Sequence, residues 1–507
     1  MMKLRKMHPL LLILLLLTGC WQEEPPEEPD EGLPPLQEEE PEEEPAALPE
    51  HFALPYTPGQ SLDPVVCADG MQQVVASLLY EGLFRLDGDL EPQLCLCISY
   101  TYDADAYRYV FTLREGVHFS DGTPLTGRDV KATLERARQS GRYQSRLSGV
   151  TSISAKEGSV TVSLNGPNTG FPALLDIPIV KAGTEDEPAP TGTGPYFYAE
   201  EETGTWLIAN QSWWKGIGQP VDRVALVEAS DPSAMLYRFS SHEVQLIMAD
   251  LTGVQAVSTT GSVGCVDAAS TLLQYVGCNT ARAPLDSPAL RRALSAGINR
   301  ANITGAFLSG HGSPAFFPVS PASSLYPVTL ETAYSPDSFA LALSASGYIP
   351  EGALTLLVNE ENSFKRAIAD YLAETWTAGG LPVEVRTLPW EEYAAALASG
   401  DFDLYYGEAR LTADWNLRSL LEPGGSLNYG RWSNPETSRL LAEFAGAEHR
   451  ENAMKNLCAH LKDQAPILPV CFKSTSVLTY ADVVEGLTPT AAEPLYNLGE
   501  CRIHLQT

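Results

Sequence analysis

The stretch from residue 21 to 50 limits what this chain can fold into more than any other. It is built almost wholly from Glu, Pro, Gln, Leu and Ala. The clusters Glu38-Glu39-Glu40 and Glu42-Glu43-Glu44 repel one another, and Pro25, Pro26, Pro34 and Pro35 deny the segment a regular helix. Such a composition cannot bury enough apolar surface to offset the entropy of ordering it. It reads as an extended tether, stiffened by proline and charge, in preference to an acidic interaction tail. The remainder, roughly 455 of the 507 residues, is too long for one simple core, so two or three lobes are expected.

What precedes the tether gives it a purpose. Lys3, Arg5 and Lys6 form a short basic region, and Leu10 to Leu17 is an almost unbroken apolar run. The run falls short of the about 20 residues that span a bilayer and reads as the apolar core of a secretion signal. It ends in Leu17-Thr18-Gly19-Cys20, which resembles a bacterial lipobox. The resemblance implies a signal peptide over 1–19, diacylglycerol on the Cys20 thiol, and a tether over 20–50 that hangs the body from the membrane. More than one acyl chain makes such anchoring stable. The body is expected outside the cytoplasmic membrane.

A formal net charge of −31 argues against a nucleic-acid partner, because phosphate binding needs Lys and Arg. Of nine cysteines, Cys67, Cys95, Cys97, Cys265, Cys278, Cys458, Cys471 and Cys501 remain once Cys20 is set aside. Their number is even, so disulfides are possible in an oxidising compartment, but the scattered spacings assign none.

From about residue 52, short strand-like runs alternate with helical ones. Val74 to Phe84 has helical spacing, and Tyr107 to Leu113 alternates as a strand. Thr126 is placed to cap a helix through Ala137, with Asp129 three residues on. Val160 to Leu164, Trp206 to Ala209 and Val224 to Val227 read as strands. In the second half, Ser287-Pro288 opens a helix to Ala296. Phe364 to Ala378 keeps an apolar face through Ile368, Tyr371, Leu372 and Trp376. Val383 to Val385 is a strand and Trp390 to Leu397 a helix. The mixture is α/β without a βαβ nucleotide unit.

Catalytic chemistry is not signalled. There is no His-Glu-x-x-His, no paired Cys-x-x-Cys set, no Walker loop and no Gly-x-Ser-x-Gly elbow. The eight histidines are dispersed, which offers no prearranged metal cluster. Gly192-Thr193-Gly194 lacks the third glycine of a dinucleotide loop, and Ser212-Trp213-Trp214-Lys215 has no Lys-Thr-Gly companion. No enzyme activity, cofactor or metal is expected.

Several ordered segments carry a resemblance. Leu62-Asp63-Pro64 is followed by Leu79-Tyr80-Glu81-Gly82-Leu83, and then by an uninterrupted match from Phe111 to Val130 that includes Phe119-Ser120-Asp121-Gly122-Thr123-Pro124-Leu125-Thr126. Gly192-Thr193-Gly194-Pro195-Tyr196, Asn210 to Trp214, Gly277-Cys278-Asn279 with Leu290-Arg291-Arg292-Ala293-Leu294, and Asp401-Phe402-Asp403-Leu404 come next. In this order they resemble the family 5 extracellular solute-binding proteins, which serve peptide and nickel ABC importers. His242-Glu243-Val244-Gln245 departs from the family's usual Gly-Glu-hydrophobic-Asp, and Asn299-Arg300 from its Asp-Arg. The resemblance implies a two-lobed, periplasmic-binding-protein-like fold (type II, cluster C) with an extra domain inserted in the first lobe. Mapped here, the first lobe combines 52–75, 190–277 and 483–507, the inserted domain is 76–189, and the second lobe is 278–482. The ligand would lie between the lobes, whose closure would change the surface offered to the permease. The protein is expected to act as a monomer.

The segment Arg410-Leu411-Thr412-Ala413-Asp414-Trp415-Asn416 resembles the Ala-Asp-Tyr-Asn type segment of oligopeptide-binding members. That resemblance gives Asp414 the peptide's α-ammonium group, and a buried cation needs such a partner. The competing reading is that Asp414 caps a helix through Leu417 to Leu421. Trp415 could line a side-chain pocket or simply be core. By position, Ala68 to Gly70 and Arg410 to Thr412 would offer backbone partners to a strand-like ligand. A short peptide is therefore expected. A nickel chelate, haem, sugar or signalling peptide stays open within the family, and a surface enzyme or chaperone-like binder outside it. The anchor is testable: the Cys20→Ala chain should carry no lipid and either leave the membrane fraction or keep its signal uncleaved, read by radiolabelled fatty-acid incorporation, fractionation and intact mass. A wild-type chain that takes up no label would refute lipidation.

Overall fold

The computed structural model describes residues 48–67, 70–252 and 262–506. Cys20, the rest of the signal and nearly all of the tether therefore lie outside the described residues, as does Ala68. Four hydrophobic cores organise what is described. The first packs against a four-stranded sheet in the order Phe52–Tyr56, Arg223–Glu228, Gly204–Ala209, Tyr196–Glu201. Its first pair is parallel and the others antiparallel. The helix Gly70–Leu79 buries Met71, Val74, Val75, Leu78 and Leu79 in this core, and Val483, Val484, Leu495 and Leu498 near the C-terminus join it.

A second core surrounds the antiparallel sheet Cys97–Asp103, Arg108–Leu113, Ser159–Leu164, Val150–Lys156. Strict alternation places Tyr109, Phe111 and Leu113 inward on one strand and Val160, Val162 and Leu164 inward on another. The helix Gly127–Ala137 covers the sheet. The Asp129 carboxylate accepts from the Thr126 amide at 3.0 Å, and its other oxygen accepts from the Ala182 amide at 3.0 Å. One acid thus fixes both a helix start and the loop beside it.

The third and fourth cores lie against one large sheet. Its order is Leu246–Ala249, Ile467–Tyr480, Val263–Cys278, Leu404–Arg410, Leu354–Asn359, Val383–Leu388, with Gly312–Pro314 also paired to Ile467–Tyr480. The helix Ser363–Ala378 buries Ile368, Leu372 and Trp376, and the Trp376 indole donates to the Leu294 carbonyl at 3.0 Å. The strands Val263–Cys278 and Ile467–Tyr480 are long enough to serve two cores. Val477, Leu478 and Tyr480 pack in the first, whereas Leu273, Tyr275, Leu468 and Val470 pack in the third or fourth.

Two elements run across expected boundaries. A division at 75/76 would cut the helix Gly70–Leu79, which stays whole in the first core. A division at 482 comes after the strand Ile467–Tyr480 has already entered that core. All eight described cysteines are free thiols.

Two buried arginines brace the large-sheet half without a carboxylate contact. Arg291, 1 % exposed, donates to the carbonyls of Leu285, Asp286, Gln464 and Ala465. Gln464 and Ala465 end the helix Arg450–Gln464, where unpaired carbonyls and the helix dipole favour a cation. Arg300 does the same for Ala315 and Pro469 at 2.9 Å, and burial pulls its guanidinium down to about 10. Arg291→Met should cost about 2–4 kcal/mol, because it strands several buried carbonyls. A lower midpoint in urea with an unchanged slope checks this, and Arg291→Lys should fall in between.

Candidate functional site

The segment after the strand Leu404–Arg410 emerges where the large sheet meets the two long strands. Arg410 pairs with Leu272 across the ladder, and the Leu411 amide donates to the Thr271 carbonyl at 2.9 Å. The chain then turns, with the Trp415 amide bonded to the Thr412 carbonyl at 2.8 Å. Trp415 takes a left-handed φ of 55°, uncommon for a residue with a side chain. Its ring is 1 % exposed and meets Phe472 edge-on at 6.1 Å. Trp415 is therefore core, and its burial fixes the direction in which Asp414 points.

The Asp414 side chain is buried, yet it lines a cleft of about 850 Å³. One carboxylate oxygen accepts from the Thr412 hydroxyl at 2.5 Å and the Asn416 amide at 3.3 Å. The other accepts from the Asn168 side-chain amide at 2.9 Å. Each of these direct donors is neutral. Asp414 does not cap the following helix. That helix, Arg418–Leu421, is only four residues long, and Asn416 accepts from the Arg418 amide at 3.1 Å.

The opposite wall comes from the sheet module that contains Tyr109 and Asn168. The Tyr109 hydroxyl holds the Asn168 carbonyl at 2.8 Å, and the Thr169 amide and hydroxyl bond to the Ala445 and Ala447 carbonyls at 2.9 Å each. Arg450 donates to the Asp414 carbonyl at 2.5 Å and lies over the Phe444 ring at 4.6 Å. A Cβ at Gly170 would stand 2.6 Å from its guanidinium, so a larger residue there would make the Arg450 side chain shift.

Arg146 lines the same cleft and pairs with Asp176. Burial lowers the Arg146 guanidinium from its ordinary value, against the opposing pull of Tyr143 and Asp414. Arg450 is likewise lowered by burial, with Asp414 opposing. A second cavity of about 520 Å³ shares Ser145, Arg146, Arg410, Leu411 and Thr412 with the first. It extends between Pro64, Tyr80 and Arg142 on one side and Thr475 and Glu493 on the other.

The structure thus brings Arg410, Thr412 and Asp414 to one cleft. Gly70 lies on a different groove, with Met71, Met235 and Met248. Sequence reasoning did not find Arg146, Asn168 or Arg450. The first two stand in the stretch read only for fold, and nothing local marks a residue that meets its partner 246 positions away.

The motifs with structural roles are resolved as well. Glu81, 7 % exposed, accepts from the Trp214 indole at 2.6 Å and the Thr193 hydroxyl at 3.1 Å, with Lys215 at 3.3 Å. This draws together Leu79-Tyr80-Glu81, Gly192-Thr193-Gly194 and Trp213-Trp214-Lys215, so the Ser-x-x-Lys spacing has a packing cause. The departure at Gln245 is also accommodated. Its side chain accepts from the Ala53 amide at 2.7 Å and donates to the His242 carbonyl at 2.8 Å.

Comparison with known proteins bears on this architecture. Residues 91–422 match the family described as bacterial extracellular solute-binding proteins, family 5. The glutathione-binding protein GsiB of Escherichia coli (strain K12) is 27 % identical over 418 residues, covering 76 % of this chain and 80 % of that one. A nickel ABC transporter structure from Bacillus halodurans superposes with a TM-score of 0.75 at 21 % identity, covering 88 % and 98 % of the two chains. The oligopeptide-binding protein AppA of Bacillus subtilis, in complex with a nonapeptide, gives 0.62 at 19 % identity, covering 90 % and 99 %. With this fold and a family match across most of the body, the chain belongs to the family 5 bacterial extracellular solute-binding proteins.

Proposed function

We propose that this protein captures a short peptide in the cleft beside Asp414 and delivers it to an ABC importer, held at the membrane by lipid on Cys20. The observation that carries the reading is the Asp414 carboxylate, buried on the wall of an 850 Å³ cleft with only neutral groups bonded to it directly. An incoming ammonium would supply the missing contact charge and could itself be bonded by Thr412. A cleft of this size suits a small ligand, since such pockets run to about 300–1,000 Å³.

Arginines support the other end. Arg146, Arg410 and Arg418 line the larger cavity and Arg142 the smaller one. In a chain of net charge −31 this local excess of guanidinium favours a ligand that also carries carboxylate. A short peptide with free termini has both charges, as does the glutathione of the GsiB name. No histidine or cysteine stands among the described residues lining either cavity, so a nickel ion would have to arrive already chelated.

The test is a double-mutant cycle by isothermal titration. Wild type and Asp414→Asn are titrated with trialanine and reduced glutathione, each free and N-acetylated. Removing one side of a buried pair should cost about 3–5 kcal/mol, on the order of a hundredfold or more in affinity, and acetylation should cost little further in the variant. Equal binding of free and acetylated peptide by wild type would remove Asp414 as an amine anchor. Binding of nickel–histidine with no peptide binding would move the ligand class to chelates.

A further inference from the structure

Away from the cleft, three side chains of metal-binding type converge on one face. Cys265 and Asp267 stand two residues apart on the strand Val263–Cys278, so their side chains share a side of the sheet. His311 reaches them from the turn that leads into Gly312–Pro314. Its Nδ1 stands 3.0 and 3.1 Å from the two Asp267 oxygens, and the Cys265 sulfur is 4.0 Å from one of them. One donor atom from each of the three lies within 4.8 Å of the others. None of the three lines either cleft cavity.

We infer that Cys265, Asp267 and His311 form a binding site for a borderline divalent transition-metal ion of the zinc type. The donor set is one thiolate, one imidazole and one carboxylate, the ligand types that zinc takes in tetrahedral sites. Ligands on one such ion stand roughly 3.3–3.8 Å apart, given its bond lengths. The three need close by only about 1 Å, within reach of side-chain rotation. The ion binds neutral His311 at Nδ1, whose proton moves to Nε2, and displaces the Cys265 thiol proton to water. A water or a solute atom completes the fourth position.

Supporting contacts already hold the ligands. The Ser476 hydroxyl donates to Asp267 at 2.6 Å, the kind of outer contact that orients a ligating carboxylate. The His311 turn is fixed on both sides, by its amide to the Leu308 carbonyl at 2.7 Å and by the Ser474 amide to its own carbonyl at 3.1 Å. The position also gives the site a consequence. Cys265 and Asp267 precede the register shift between Ala268 and Leu272, whereas Gly312–Pro314 pairs beyond it with Cys471 to Lys473. An ion here ties together the two sides of the irregularity where the long strands pass between cores.

The test uses the full, untagged chain under a phosphine reductant. Zinc is titrated against a chromophoric chelator in wild type, Cys265→Ser, Asp267→Asn and His311→Ala. One equivalent should bind in wild type and weaken by roughly a hundredfold in each variant, with Ser476→Ala losing about tenfold. The acidic N-terminal segment is common to all and cancels in the comparison. Cobalt in wild type should give a sulfur-to-metal charge-transfer band that disappears in Cys265→Ser. Zinc affinity unchanged in His311→Ala, or cobalt bound without that band, would reduce the cluster to a His–Asp hydrogen bond with a bystander thiol.

Discussion

The strands Val263–Cys278 and Ile467–Tyr480 run side by side from one core to another, and the segment that carries Thr412 and Asp414 leaves the sheet beside them. Each backbone group in their ladder must keep a partner, because an orphaned buried amide or carbonyl costs about as much as the bond it lost. The pair therefore resists stretching, and its ladder is irregular between Ala268 and Leu272. The binding segment grows out of that point, with Leu411 bonded to Thr271 and Arg410 opposite Leu272.

The family motifs become intelligible as solutions to local burial problems. Glu81 is a carboxylate inside protein, tolerable only because an indole, a hydroxyl and an ammonium converge on it. Those three groups come from two other motifs, so the three motifs depend on one another in this fold. Gly192 belongs to the same arrangement, since a Cβ there would stand 2.0 Å from the Leu79 carbonyl oxygen. Asp63, fully buried, plays a similar part by accepting from the Val65 amide at 3.0 Å and from Arg136. It joins the first core to the helix Gly127–Ala137.

How far the sequence could be read follows from the range of the interactions. Helices with a cap and an apolar stripe, such as Gly127–Ala137 and Ser363–Ala378, were legible because their cause lies within a few residues. The two-lobed class followed from motif order. Boundaries were less accessible, because the helix Gly70–Leu79 and the strand Ile467–Tyr480 are assigned to cores by packing that no local pattern encodes. At the site, Asp414 was found through its resemblance to a binding segment, and the helix-capping alternative failed because Asn416, two residues on, bonds the helix amide. The sequence allows Trp415 to be pocket or core, and its burial with the ring against Phe472 decides for core.

The oxygens of Asp414 are bonded by neutral donors, with two arginines nearby. Buried carboxylates in this fold are held by neutral donors alone, as Asp129 is, or with a direct ion pair, as Asp63 is with Arg136. Arg450 is close enough for that, but it spends its donor on the Asp414 backbone carbonyl. Arg146 is committed to Asp176 and the Leu174 carbonyl. Both cations act on Asp414 through space, while amide and hydroxyl groups hold its oxygens. Such neutral donors can be exchanged for an ammonium at lower cost than a guanidinium could, because no buried charge is left unpaired when they let go. The amide and hydroxyl donors fix the direction in which the carboxylate faces the cleft.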